Sequence, residues 1–198
     1  MNQRSLLLLP VLALVACQSE QPETAQTESA APATAETTQA AADQPVRVDL
    51  INTQRQPVGT ATLTQTAEGV QVALALTNLP AGTHGLHFHQ NGACEPPAFE
   101  SAGGHFNPTN KQHGFQNPQG PHAGDLPNIT VGANGRADTT VVDNVVTLQP
   151  NQPNSLLKQG GTSLMVHASA DDYKTDPSGN SGARIACGVV GGGQHPQH

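Results

Sequence analysis

From residue 46 onward, apolar and polar residues alternate with a period of two. Val46, Val48 and Leu50 are separated by polar neighbours, and residues 60–66 and 70–77 repeat the pattern around an Ala67, Glu68, Gly69 turn. Side chains two apart on a strand share a face, so the pattern predicts strands with one buried side. Residues 129–133 and 136–142 flank Asn134 and Gly135, a pair suited to the positive φ angles of a tight hairpin turn. Residues 163–167 and 183–190 read as two more strands. No segment sustains a helical apolar period, so the expected class is all-β, a sandwich or a barrel. Two stretches, 91–128 and 168–182, lack strand character and are rich in Gly, Pro, Asn and Asp. Loops that long inside a compact domain usually carry function.

The pattern changes before residue 46. Arg4 precedes an apolar run over residues 6–16 that ends Leu14, Val15, Ala16, Cys17. This predicts a signal peptide over 1–16, cut before a lipidated Cys17, because the run is shorter than the ~20 residues that span a bilayer. Residues 17–45 then form an Ala-, Thr-, Gln- and Pro-rich segment with five acids and no large apolar residue. Such a segment cannot bury enough surface to fold, so it reads as a disordered tether to a body at 46–191. The last residues, 192–198, carry His195 and His198 and read as a disordered tail.

Charge and cysteine content narrow the partners. The formal net charge is −7, and the eight Lys and Arg are spread over the whole chain, which argues against nucleic acid. The body holds seven basic against ten acidic residues, leaving −3. Setting Cys17 aside leaves Cys94 and Cys187, an even pair for which an exported, oxidising setting predicts a disulfide.

Seven of the nine histidines fall between His84 and His167. His87 and His89 lie two apart on an expected strand and can face one ion, while Phe88 points to the other side. His105, His113, His122 and Asp125 follow in the first long loop, and three imidazoles with one carboxylate suit tetrahedral zinc. His167 ends the strand at 163–167. If His113, His122 and Asp125 hold one metal and His87, His89 and His167 another, each set lacks a ligand, and His105 could serve both by losing its second ring proton to a pair of cations. All-imidazole, flattened coordination favours Cu(II), and a carboxylate-containing tetrahedron favours zinc.

The segments GLHFHQNGAC, GGHFNP, KQHGF, GPHAGDLPN, MVHASADD and GNSGARIACGVV resemble, in order and spacing, the signatures of the copper,zinc superoxide dismutase family, of the bacterial envelope lipoprotein type. The resemblance spans essentially the whole body. It implies an eight-stranded Greek-key β-barrel, of Ig-like sandwich architecture, with two long functional loops. It implies copper on His87, His89, His105 and His167, zinc on His105, His113, His122 and Asp125, and a Cys94–Cys187 disulfide tethering the loop to the last strand. Asp171 resembles the carboxylate that hydrogen-bonds His87 and His113 from outside, His84 a structural histidine, and Arg184 the active-site arginine beside copper. The implied chemistry cycles copper between oxidation states while His105 releases it and takes a proton, and superoxide leaves as oxygen and hydrogen peroxide.

The resemblance departs at residues 173–181, shorter than the charged loop of eukaryotic relatives, so Lys174 is only a weak candidate for steering. A metal-handling binding protein and a blue-copper carrier are the competing readings. The first would need no Arg184. The second would want a Cys thiolate and an axial Met, and Met165 should face away from His167. Monomer and homodimer are both open. The anchor places the body at a bacterial membrane, facing the periplasm or the cell exterior.

Overall fold

The computed structural model describes residues 44–191; the predicted signal peptide, Cys17, nearly all of the tether, and the tail with His195 and His198 lie outside the described residues. Among the described residues nine strands occur: β1 (Val46–Asn52), β2 (Pro57–Thr66), β3 (Gly69–Leu76), β4 (Gly82–His84), β5 (Leu86–His89), β6 (Ile129–Val131), β7 (Ala137–Asp143), β8 (Thr162–His167) and β9 (Arg184–Val190). The described residues contain no α-helix, only a 3-10 turn at Glu100–Ala102. The strands form a seven-stranded antiparallel sheet, β5-β8-β9-β1-β2-β3-β7, and a two-stranded sheet, β4-β6. β4 and β5 are one run broken at Gly85, where the chain leaves one sheet for the other, so counting them together gives the expected eight.

The period of two predicted from sequence is visible in β3, whose residues alternate between buried and exposed after Gly69. Val70, Val72, Leu74 and Leu76 point inward and join Leu50, Leu63 and Phe88 in the main core. Each such side chain contributes about 1.5–3 kcal/mol by leaving water. β5 and β8 are buried at every position, because the core covers one face and the long loops cover the other.

Two local expectations need correction. Gly69 is already paired with Thr66, so the β2–β3 turn is Ala67 and Glu68 alone. The turn at Asn134 and Gly135 closes through Gly132 N–H to Arg136 O at 2.8 Å, but no hairpin ladder follows it. β6 pairs with β4 and β7 with β3, so the two arms of the turn join different sheets.

A second small core, Phe99, Ala102, Met165 and Cys187, lies under the Cys94–Cys187 disulfide. Met165 is the cross-strand partner of His87 and packs in this loop-side core while Leu164 and Val166 enter the main core, so the expectation that it faces away from His167 is corrected: residues two apart on a strand share a face. Two glycines let the loops settle on the barrel. A Cβ at Gly124 would sit 2.4 Å from Phe88 O, and one at Gly114, where φ is +100°, would sit 2.1 Å from Tyr173 O.

Candidate metal centre

β5, β8 and the 91–128 and 168–182 loops bring six histidines and two carboxylates, Asp125 and Asp171, together, all nearly inaccessible to solvent. His87 and His89 project from one face of β5, and His167 ends β8 beside them. The loop is drawn onto β5 by main-chain bonds, Phe88 N–H to Gly124 O and Phe106 N–H to Phe88 O, both 2.8 Å. That registry sets His105 and Asp125 against the strand histidines, each in a bridge with one of them.

Hydrogen bonds fix which ring nitrogen of each histidine carries a proton. His89 Nδ1 faces Gly103 O at 2.9 Å and His167 Nδ1 faces Gly182 O at 3.2 Å, so both donate there and both leave Nε2 as a lone pair. Those two Nε2 atoms lie 3.4 Å apart. His87 Nε2 donates to Asp171 Oδ2 at 2.8 Å, which leaves Nδ1 as the lone pair, buried and without a partner. His105 Nε2 is likewise buried and unpartnered. These ring nitrogens converge within 4.8 Å of one another. Buried acceptors that face each other without a donor are costly, and a cation is the group that satisfies all four. All-imidazole donation of this kind suits copper.

The second set has tetrahedral proportions. Asp125 Oδ1 lies 2.8 Å from His105 Nδ1, 3.1 Å from His113 Nδ1 and 3.3 Å from His122 Nδ1, and His122 Nδ1 lies 3.4 Å from His105 Nδ1. A regular tetrahedron with metal bonds of about 2.0 Å has edges of about 3.3 Å, so these four of its six edges are of zinc-site size. His87 also approaches this group, but its free nitrogen belongs to the first quartet. His105 presents one ring nitrogen to each set.

The electrostatics agree with metal binding. Burial pushes His87 down, His89 to about 2, His105 to about 4 and His167 to about 3, which keeps these rings neutral and able to coordinate. Burial would raise the carboxyl of Asp125, but donors from His105, His113 and His122 outweigh it and hold the group well below the usual range. Burial likewise lowers His113, yet Asp125 and Asp171 on either side overcome it and raise the ring to about 9. A site that holds a proton so firmly between two carboxylates is a site for positive charge.

Asp171 ties the two sets together, since Oδ2 accepts from His87 Nε2 and Oδ1 from His113 Nε2 at 2.9 Å. Arg184 opens β9 and donates to Phe99 O and Gly103 O, both at 2.6 Å. It lines a cavity of about 550 Å³ together with His89, His105, His167, Gln90 and Asn110. His84 points elsewhere: its two nitrogens lie 2.8 Å from the carbonyl oxygens of His167 and Pro80. Lys174 is exposed and does not line that cavity.

Several supports are not read from the sequence. Phe99 O and Gly103 O are main-chain atoms and leave no side-chain signature. Asn128 pairs reciprocally with the Asp171 main chain, at 2.9 and 2.8 Å, and its own N–H bonds the Tyr173 hydroxyl at 2.7 Å. Only a charged residue near the loop histidines, Asp176, could have been noticed by its type.

Comparison with known proteins places this geometry. The family model for copper/zinc superoxide dismutase (SODC) matches residues 57–190. The chain is 50% identical over 143 residues to superoxide dismutase [Cu-Zn] 1 of Aquifex aeolicus, covering 72% of this chain and 85% of that protein. It is 43% identical over 152 residues to the superoxide dismutase-like protein YojM of Bacillus subtilis, covering 76% of this chain and 78% of that one. Among solved structures, a SOD-like protein from Bacillus subtilis matches with a TM-score of 0.71 at 43% identity, over 73% of this chain and 97% of that one. Cu/Zn superoxide dismutase from Brucella abortus matches with a TM-score of 0.61 at 30% identity, over 74% and 99%.

Proposed function

The chain belongs to the copper/zinc superoxide dismutase family, and from that premise we propose that it disproportionates two superoxide anions and two protons to oxygen and hydrogen peroxide at the histidine cluster. One relative is named only dismutase-like, so fold and identity alone do not carry the activity. What carries it is the complete set of four converging ring nitrogens, three of whose histidines, His89, His105 and His167, line the cavity that Arg184 also lines.

Copper would be held by His87 Nδ1, His89 Nε2, His105 Nε2 and His167 Nε2, and zinc by His105 Nδ1, His113 Nδ1, His122 Nδ1 and Asp125 Oδ1. When bound, copper supplies one-electron oxidation and reduction of superoxide, while d¹⁰ zinc supplies fixed charge and loop order without redox chemistry.

The protein's own groups do the rest. Arg184 is held by two carbonyls at the cavity edge, so its guanidinium offers a fixed positive charge to an anion where a body of net −3 offers none. His105 lines the same cavity, and its Nε2, the buried and unpartnered ring atom of the shared ligand, is placed to hold a proton for the peroxide product. Asp171 keeps the His87 and His113 rings in the tautomers that coordination requires.

The deciding experiment compares the metal-loaded parent with Arg184→Ala. The parent should accelerate superoxide loss, and the variant should retain both metals with kcat/KM lowered by about tenfold or more. A loaded parent without dismutase activity would replace this reading with metal handling. Loss of copper from the variant would contradict the role given to Arg184.

The body is further proposed to act at a bacterial envelope, tethered through lipidated Cys17. The apolar run before Cys17, the acidic tether after it and the Cys94–Cys187 bond, which persists in oxidising compartments, support that placement.

A further inference from the structure

The two long loops meet at Asp176. Its Oδ1 accepts the backbone N–H of His113 at 2.7 Å and lies 3.9 Å from His122 Nε2. The outer nitrogens of the three histidines around Asp125 are treated differently. His113 Nε2 donates to Asp171 Oδ1 at 2.9 Å, and His105 Nε2 turns to the other quartet. His122 Nε2 makes no hydrogen bond among the described residues, and the carboxylate facing it is Asp176.

A coordinated imidazole carries extra positive charge on its outer N–H, and an anion there orients the ring and makes the coordinating nitrogen more basic. The Asp176 side chain is 49% exposed and that of His122 only 9%, so a half-solvated carboxylate faces a buried ring. An asparagine would bracket His113 N–H equally well. It would also spare the cavity a negative charge next to Pro177 and Ser178, which line it and where an anion works against capture of an anionic substrate.

We infer that Asp176 is a positioning residue for zinc: its carboxylate orients His122 from outside while its Oδ1 brackets the His113 main chain, coupling the 168–182 loop to the metal-binding loop. The inference rests on the zinc assignment proposed above. Asp171 serves the His113 ring; Asp176 would serve the ring that Asp171 does not reach.

The test measures zinc affinity of the full chain by competition with a chromophoric chelator, and records the visible spectrum of cobalt bound in place of zinc. Asp176→Asn keeps an acceptor for His113 N–H but removes the charge. It should bind zinc about tenfold more weakly, with Asp171→Asn as a reference for a full outer contact. The deficit should shrink in ~1 M salt, where the screening length is about 3 Å, the cobalt bands should shift, and Asp176→Glu should recover most of the affinity. Asp176→Asn binding zinc as tightly as the parent overturns the inference, whether or not Asp176→Ala is weakened, because the residue is then only a main-chain bracket. If the parent itself holds no zinc here, the metal assignment fails as well, so the two failures are distinguishable.

Discussion

Removing the Cys94–Cys187 bond should both destabilise the barrel and detach Arg184 from its mount. The bond joins residues 93 apart in sequence. On the chain-entropy model, opening a loop of that length releases about 4.5 kcal/mol of restriction on the unfolded chain. For a domain of roughly 150 residues, where 1 kcal/mol moves Tm by about 3–4 °C, the expected loss is roughly 15 °C. The bond also pins Cys94, and with it the segment whose Phe99 and Gly103 carbonyls hold Arg184. The double variant Cys94→Ser with Cys187→Ala should therefore melt lower and capture superoxide about tenfold more slowly with its metals in place. Cys187 is fully buried, so some of the loss could come from a cavity at the alanine. Chemical reduction of the unsubstituted protein removes the bond without that cavity. Calorimetry and a superoxide assay on both preparations decide the matter. A Tm shift below about 5 °C with unchanged kcat/KM in both would refute the tether.

Asp143 is buried, its Oδ1 accepts from Val145 and Val146 N–H, and its Oδ2 has no partner. Burial raises its carboxyl from 3.8 to about 6. The protonated form thus favours the folded state, and this contribution, complete below about 3.8, is lost as pH rises through about 6. A shift of about two units corresponds to at most ~3 kcal/mol. Asp143→Asn, which cannot ionise, should gain stability relative to the parent between pH 4.5 and 7.5 in urea melts; a difference flat with pH would contradict the titration. Cys17→Ser should release the protein from membranes and abolish incorporation of labelled fatty acid, and unchanged membrane recovery would dismiss the anchor.

The strands were legible because each buries one face, and an alternating pattern such as Val70, Val72, Leu74 and Leu76 admits few other structures. β5 and β8 were harder, since both faces are buried and alternation disappears. β8 was read from the short apolar run at 163–167, and β5 through His87 and His89. The hairpin expected at Asn134 and Gly135 failed because turn chemistry specifies a reversal but not which strand each arm then joins.

Side-chain type and spacing are local properties, and they specified the class of fold and the donors, six histidines and Asp125, while the family resemblance added Asp171 and an arginine late in the chain. Tertiary structure alone decided the rest. Which nitrogen of each ring is free depends on carbonyls such as Gly103 O and Gly182 O, and Arg184 is aimed by main-chain atoms more than eighty residues away. Backbone acceptors look alike at every residue, so no side-chain pattern announces them, and only the packing of loop on barrel brings them to the site.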